Sequence, residues 1–180
     1  MIDRAGTVEV EGWEAWQGQR ADGAVESEQR VVLRRPVVEF SDHGGEQLGR
    51  AYWREVERIT RRLVRARDRR GSIELRLLGR GPSLLRFGPP TIRATARLVC
   101  CSYPIEGGLL AQRSGGEIIF AQTGDESPVV RSAIRGFFPS LASRSASPDW
   151  TGALYNQVQS RIHVAVSRRY FARLIAGAGG

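Results

Sequence analysis

The sequence predicts an α+β protein with an antiparallel sheet of six to seven strands, a shorter helix after the first strand and one long helix at the C-terminus. Two patterns support this fold class. Between about residues 64 and 138, short runs of alternating apolar and polar residues are separated by turn residues, which is typical of antiparallel strands. Before and after this region, apolar residues recur every three or four positions, which is typical of amphipathic helices.

The composition is that of one soluble domain. A chain of 180 residues, 41% hydrophobic and 26% charged, is long enough to bury a core. No apolar run approaches the ~20 residues of a membrane-spanning helix, and the acidic N-terminal stretch lacks the pattern of a signal peptide. We therefore expect a cytoplasmic protein without a membrane span, as a monomer or homodimer.

The net charge of +8 is unevenly distributed along the chain. All 27 basic residues are arginine, so part of the charge reflects codon usage in a GC-rich genome rather than a binding partner. Residues 1–30, in contrast, carry seven acidic residues and three arginines. We divide the chain into an acidic N-terminal arm (1–30), a single domain (31–177) and a flexible tail (178–180).

The first strand is predicted in the β-branched run Val31–Phe40, with Pro36 at an edge or bulge because proline donates no hydrogen bond to a neighbouring strand. After a turn that contains His43, helical spacing of apolar residues predicts an amphipathic helix from about Glu46 to Thr60. The apolar stripe of this helix is Leu48, Tyr52, Val56, Ile59 and Leu63.

The remaining strands are runs of period two. A hairpin is predicted to turn near Arg70 and Gly71, with the apolar Ile73, Leu75 and Leu77 on one face and the charged Glu74 and Arg76 on the other. The run TIRATARLVCCSYPI is interpreted as one strand, in which Leu98 and Cys100 share an apolar face and Cys101 lies on the opposite face. Further strands are predicted in LLAQRS, EIIFAQT and VVRSAIRGFF.

The long C-terminal helix is predicted to begin at Ser147, an N-cap residue that is followed by a proline at the first helical position. A helix of about 25 residues is about 38 Å long, enough to cross a whole sheet. Its apolar stripe is Tyr155, Val158, Ile162, Val166, Tyr170 and Leu174.

This order of elements resembles the helix-grip fold of START-like proteins, a superfamily related to lipid transfer. The segment ALYNQVQSRIHVAVSRRYFARLI is similar to the closing helix of some bacterial START-like proteins, in which an aromatic residue, a histidine and an Arg-aromatic pair recur. The resemblance implies a curved sheet that grips the long helix around an elongated apolar cavity for a lipid or polyketide-like molecule. A calycin-type β-barrel, with the helix packed on its outside, is the alternative fold.

The favoured function is that of a carrier or sensor that binds such a hydrophobic molecule between the sheet and the C-terminal helix. The alternative is a cofactor-free cyclase, dehydratase or isomerase that uses His163 or Tyr103 as an acid-base group, since imidazole titrates near neutral pH. The residues expected to line the cavity are Tyr52, Val56, Leu98, Cys100, Ile134, Tyr155, Ile162 and Val166.

Nucleic-acid binding is the second alternative. Seven arginines between Arg58 and Arg70 suit phosphate neutralisation, although acidic residues interrupt the cluster and a change of period scatters it over several faces. We expect no metal and no cofactor. The adjacent Cys100 and Cys101 do not close an unstrained disulfide, and the two histidines lie too far away in sequence to complete a zinc motif.

Overall fold

A computed structural model describes residues 10–124, 127–140 and 165–178 of the chain. Within these residues there are nine β-strands and two α-helices. The elements in chain order are β1 (Val10–Gln19), β2 (Val25–Leu33), α1 (Asp42–Ile59), β3 (Val64–Arg69), β4 (Ser72–Leu77), β5 (Ser83–Phe87), β6 (Thr91–Thr95), β7 (Leu98–Gly107), β8 (Glu117–Thr123), β9 (Val129–Phe137) and α2 (residues 165–177).

The strands form one antiparallel sheet in the order β1-β2-β9-β8-β7-β5-β4-β3, and β6 pairs with β7 beside this path. Strand β2 pairs with β9, so the N-terminal and C-terminal parts of the sheet lie side by side. The remaining neighbours are close in sequence, as is usual for antiparallel strands joined by short turns. The protein is therefore α+β, with a sheet that dominates the fold.

Both helices pack on the same face of the sheet, over a core of aromatic side chains. The ring of Phe120 on β8 lies 4.6 Å from the ring of Tyr52 on α1 and 5.7 Å from that of Tyr170 on α2. Trp53 of α1 packs edge-on against Tyr103 of β7 at 5.3 Å. All five side chains are buried, so the removal of their apolar surface from water is a major source of stability.

Helix α1 lies very close to the sheet because glycines face the strands. A Cβ atom on Gly49 would lie 2.6 Å from the Tyr103 hydroxyl, and one on Gly45 would lie 2.6 Å from Cγ2 of Ile92. Side chains at these positions would force the helix away from the sheet. The spacing of glycines along α1 thus sets the distance between helix and sheet.

The predicted start of this helix at Glu46 is wrong, because α1 begins at Asp42. Ser41 is the N-cap, and its hydroxyl accepts a hydrogen bond from the backbone N–H of Gly44 at 3.2 Å. His43 therefore lies in the first turn of α1 and not in a loop. The capping residue outweighs the low helix propensity of the two glycines that follow it.

The predicted sheet of six to seven strands is also wrong, since the described residues form nine. Strands β1 and β2 come largely from residues 10–30, and the shorter helix follows the second strand and not the first. The strand predicted at Val31–Phe40 is the end of β2, which stops at Leu33. Pro36 has no N–H to donate, and the chain leaves the sheet before reaching it.

The run TIRATARLVCCSYPI forms two strands and not one. Strands β6 and β7 are joined by a tight turn at residues 96–97, in which the Thr95 hydroxyl accepts a hydrogen bond from the N–H of Leu98 at 3.1 Å. The turn pairs Ile92 with Cys101, so these two residues share a face. The prediction that Leu98 and Cys100 lie on the buried face is therefore wrong, and Cys101 lies there instead.

The strand predicted in LLAQRS is a loop with one isolated bridge, between Ala111 and Pro139. The hairpin predicted near Gly71 is confirmed, since β3 pairs with β4 along its whole length. Arg70 and Gly71 adopt left-handed conformations at its turn, with φ of 56° and 88°. The Asp68 carboxylate accepts a hydrogen bond from the N–H of Gly71 at 2.9 Å, which closes the turn.

The long C-terminal helix is corrected as well. In the described part of the chain α2 covers residues 165–177, about half of the predicted length. The predicted N-cap Ser147 and the residues up to 164 lie outside the described residues. Neither described helix combines the length and apolar character needed to cross a bilayer.

Candidate binding site: a cleft between the two helices

A cleft of about 360 Å³ separates α1 from α2. Its volume lies in the range of small-molecule sites, about 300 to 1,000 Å³. We call it the basic cleft, because arginine side chains from both helices line it. The lining residues are Val37, Val38, His43, Gln47, Arg50, Ala51, Arg54, Arg173, Leu174 and Gly177.

Helix α1 contributes one continuous face to the cleft. His43, Gln47, Arg50 and Arg54 are spaced by four, three and four residues, which places their side chains in a row along the helix. A ring nitrogen of His43 lies 2.9 Å from the amide nitrogen of Gln47, so these two side chains form a hydrogen-bonded pair at the N-terminal end of the row. The two arginines follow one and two turns further along.

The segment between β2 and α1 forms the apolar wall of the cleft, and Gln122 of β8 holds it in place. The Gln122 side-chain oxygen accepts hydrogen bonds from the N–H groups of Val37 and Val38, at 2.7 and 3.1 Å. The side-chain nitrogen of Gln122 donates to the carbonyl oxygen of Val38 at 2.7 Å. Gln122 is fully buried, so one internal amide satisfies three backbone groups that have no strand partner.

The C-terminal end of α2 closes the other side of the cleft. Arg35 donates a hydrogen bond to the carbonyl oxygen of Ala178 at 3.2 Å, which ties the end of this helix to the segment after β2. Leu174 and Gly177 face the cleft from the last turns of α2. Gly177 presents no side chain there and leaves room between the two walls.

The three arginines of the cleft differ in their partners. Arg50 forms an exposed ion pair with Glu46 at 3.2 Å, which water and salt weaken. Arg173 lies 3.7 Å from the carboxylate of Glu55, too far for a good hydrogen bond. Among the described residues, Arg54 has no acidic partner.

Among the residues that the structure describes, no acidic side chain lines the basic cleft, while three guanidinium groups and one imidazole do. Guanidinium groups recognise carboxylates and phosphates through paired hydrogen bonds. Val37, Val38, Ala51 and Leu174 offer an apolar surface next to these donors. The arrangement therefore suits a molecule with an anionic group and an apolar body.

The residues predicted to line an apolar cavity are not gathered in this cleft. Tyr52 of α1 and Val166 of α2 are buried in the core between the helices and the sheet. Val56 and Ile134 are partly buried and pack against this core. Leu98 and Cys100 are half-buried on the face of β7 that is opposite to the buried Val99, Cys101 and Tyr103. Tyr155, Ile162 and the candidate acid-base residue His163 lie outside the described residues.

The second candidate acid-base residue, Tyr103, is buried against α1. Burial raises the pKa of Tyr103 above its ordinary value, and it does the same to the pKa of Tyr52 and of Tyr170. Burial also raises the pKa of the Cys101 thiol to about 11. These groups are therefore neutral at physiological pH, and in the core they act as packing residues.

The arginine cluster 58–70 is less scattered than its sequence pattern indicates. Arg65, Arg67 and Arg69 alternate with Val64, Ala66 and Asp68 along β3, so these three arginines share one face. Arg76 of β4 pairs with Arg65 on the same face. Arg58, in contrast, contacts the buried carboxylate of Glu55.

Sequence reasoning did not identify Arg50, Arg54 and Arg173 as site residues. The row on α1 is visible in the sequence as polar residues at helical spacing, but a solvent-exposed helix face shows the same pattern. Only the approach of α2 brings Arg173 opposite that row. No three histidine, cysteine, aspartate or glutamate side chains gather as a metal site within residues 10–124, 127–140 and 165–178.

Comparisons with known proteins give no counterpart for this cleft. No family model, no curated protein and no solved structure matches the chain. The chemistry of the basic cleft therefore has to follow from its own side chains.

Proposed function

We propose that the protein binds a small amphiphilic anion in the basic cleft, with a carboxylate or phosphate at the arginines and an apolar body against the valine wall. The observation that carries this proposal is the meeting of Arg50 and Arg54 from α1 with Arg173 from α2 around one cleft, which has no acidic lining residue in the described part of the chain. The ligand predicted from the sequence was a hydrophobic molecule between the sheet and the C-terminal helix. The ligand proposed here lies in the basic cleft between the two helices and also carries an anionic group.

Arg54 is the most informative of these residues. Its side chain is exposed and lines the cleft, and no acidic side chain of the described residues competes for it. Arg50 and Arg173 have nearby carboxylates, which an incoming anion would have to displace. Arg54 therefore provides the largest gain on ligand binding, and its loss should not affect folding.

The test is calorimetric titration with decanoate, decyl phosphate and the neutral analogue decanol. We expect at least one of the anions to bind about tenfold more tightly than decanol, since a charged hydrogen bond contributes about 1.5 kcal/mol or more. Arg54→Gln should remove this preference. The matched control is Arg97→Gln, an exposed arginine in the turn between β6 and β7, and it should bind like the unmodified protein.

Two results would contradict the proposal. Equal affinity for decanol and for both anions would exclude charge recognition by the cleft. An equal loss of affinity in Arg54→Gln and Arg97→Gln would indicate a general effect of net charge. Native mass spectrometry of the freshly purified protein, followed by extraction, identifies any ligand retained from the cell.

We also retain, as a second proposal, a ligand between the sheet and the C-terminal helix, as the resemblance to START-like proteins implies. Four buried polar atoms between the sheet and α2 support this second site, because none has a hydrogen-bond partner within the described residues. They are Gln29 Oε1, Ser132 Oγ, Ser167 Oγ and Tyr170 Oη.

The two sites are distinguished by matched variants. Ser132 is fully buried on β9, and Gln29 pairs with it across β2. If the ligand lies inside the core, Ser132→Val should reduce its retention in native mass spectrometry while Arg54→Gln leaves it unchanged. The opposite result would place the ligand in the basic cleft. Catalysis by His163 remains a prediction, since this residue lies outside the described residues.

A further inference from the structure

The turn after α1 and the turn between β4 and β5 meet at one corner of the protein and expose three leucines. The exposed fractions of Leu63, Leu77 and Leu78 are 55%, 41% and 66%. The N–H of Leu78 donates a hydrogen bond to the carbonyl oxygen of Leu63 at 2.7 Å, so the two turns are in direct contact. We call these residues, 61–63 and 77–80, the leucine corner.

Exposure of leucine is concentrated at this corner. Of the large hydrophobic side chains in the described chain, five are exposed, and three of them belong to the leucine corner. A cluster of exposed apolar side chains indicates an interaction surface, whereas single ones need no explanation. The other two, which lie elsewhere, are Trp16 and Leu109.

The backbone of the corner is strained. Arg61, Arg62 and Leu78 adopt left-handed conformations with φ of 48°, 64° and 51°, and they are three of the four non-glycine residues with positive φ in the described chain. Such conformations cost free energy in residues with a branched or long side chain. Strain of this kind is typically retained at binding sites. Here the strained residues are Leu78, Arg61 and Arg62, and all three are exposed.

The surroundings of the corner are strongly basic. The two segments that form it and flank it, residues 58–67 and 75–82, contain seven arginines and no acidic residue. Arg58 contacts Glu55 and Arg76 pairs with Glu74 at 3.2 Å, so these two charges are balanced, and the Glu57 carboxylate accepts a hydrogen bond from the N–H of Ala66. Five arginines of these segments remain, and they are Arg61, Arg62, Arg65, Arg67 and Arg80.

We propose that the leucine corner docks on the surface of an anionic lipid bilayer. Apolar side chains enter the boundary between head groups and acyl chains, and adjacent arginines bind lipid phosphates. Charge complementarity selects this occupant. A second copy of the chain would bring two clusters of arginines together, and a nucleic acid would leave the leucines in water. The proposal is independent of the basic cleft.

The experiment is co-sedimentation of the full chain with vesicles of phosphatidylcholine containing phosphatidylserine, and with vesicles of phosphatidylcholine alone. We expect binding to the anionic vesicles that decreases with salt, and at least tenfold weaker binding to the neutral ones. Leu78→Asn should reduce anionic binding about tenfold. Asparagine adopts left-handed conformations readily, so this variant is expected to fold. The matched control, Leu109→Asn, changes an exposed leucine outside the corner and should bind normally.

The charged part of the surface has its own pair of variants. Arg61→Asn combined with Arg62→Asn should weaken anionic binding and its salt dependence, while Arg97→Asn combined with Arg93→Asn, on the β6 hairpin, should have a smaller effect. Unchanged binding in Leu78→Asn would overturn the proposal. Binding of an oligonucleotide that exceeds vesicle binding and is insensitive to Leu78→Asn would assign the corner to nucleic acid. A change of oligomeric state in Leu78→Asn would assign it to self-association.

Discussion

Gln122 and Val38 exchange two hydrogen bonds through a buried side-chain amide, at 3.1 Å from the N–H of Val38 and at 2.7 Å to its carbonyl oxygen. The same amide oxygen also accepts the N–H of Val37. The chain between β2 and α1 leaves the sheet before Pro36, and Gln122 replaces the strand partners that its backbone has lost. One side chain of the central sheet thus fixes the apolar wall of the basic cleft.

Replacement of Gln122 by alanine should be strongly destabilising. The buried N–H and carbonyl of Val38 and the partly buried N–H of Val37 would lose their partner, and we expect the free energy of unfolding to fall by about 2 to 4 kcal/mol. Chemical denaturation measures this change. The matched control is Gln112→Ala, because Gln112 is exposed and should tolerate the change within about 0.5 kcal/mol. Equal stability of the two variants would show that the hydrogen bonds of the Gln122 side chain do not contribute to stability.

Gly49→Ala should weaken the contact between α1 and the sheet. The added Cβ would lie 2.6 Å from the Tyr103 hydroxyl and 3.2 Å from the sulfur of Cys101. We expect a loss of about 1 to 3 kcal/mol, the range found for overpacked cores, despite the higher helix propensity of alanine. Thermal unfolding tests this. Gly12→Ala is the control, since no atom of the other described residues, its two chain neighbours apart, lies within 4 Å of its added Cβ.

The ion pair of Glu55 and Arg58 should respond asymmetrically to substitution. Glu55 is buried whereas Arg58 is half exposed. Arg58→Gln leaves a buried carboxylate whose one remaining basic partner among the described residues is the more distant Arg173, and we expect a loss of about 2 kcal/mol or more. Glu55→Gln leaves two arginines in water, and the loss should stay below about 1 kcal/mol. Equal losses in denaturation experiments would contradict the burial of Glu55.

Cys101 should make the protein less stable at alkaline pH. Burial raises the pKa of its thiol from 9.0 to about 11, so the unfolded chain releases the thiol proton at lower pH than the folded chain does. The stabilisation is therefore complete below pH 9 and is lost as the pH rises through 11, by about 2 to 3 kcal/mol in total. Denaturation between pH 8 and 11 should show a shallower fall for Cys101→Ala than for the unmodified protein.

Cys100→Ala provides the comparison for this experiment. Burial also raises the pKa of Cys100, but this side chain is only half-buried, so its effect on the slope should be smaller. The buried tyrosines add a further loss of stability above pH 10 that is common to all three proteins. A slope unaffected by either substitution would show that neither thiol titrates differently in the folded state.

The parts of the fold that follow local rules were predictable. The hairpin at Gly71 carries its own turn chemistry, and most of α1 follows from helical spacing of apolar residues. The tight turn between β6 and β7 was missed because neither Ala96 nor Arg97 is a typical turn residue. One unrecognised turn was enough to exchange the faces assigned to Cys100 and Cys101.

The features that depend on distant contacts were not predictable. Strands β1 and β2 form because residues 25–32 pair with β9, whose partner residues lie 97 to 112 positions away in sequence. The basic cleft likewise requires Arg173 to meet the Arg50 and Arg54 row, and a row of polar residues on a helix does not reveal what lies opposite. The sequence pattern predicted a helix in each of these two regions, although with other bounds, but only the packing of the helices creates the site.

Strand β3 is the last strand at one end of the described sheet, and side chains at the end of α1 cover only part of its outer edge: the N–H of Val64 donates to the Thr60 hydroxyl at 3.2 Å, and that of Ala66 donates to the Glu57 carboxylate at 2.9 Å. A strand in this position is a template for pairing with the same strand of another molecule. Arg65, Arg67 and Arg69 alternate along it, so two such strands would bring six like charges into one ladder. The residues that make this end of the protein basic therefore also protect it from fibrillar aggregation, most effectively at low ionic strength.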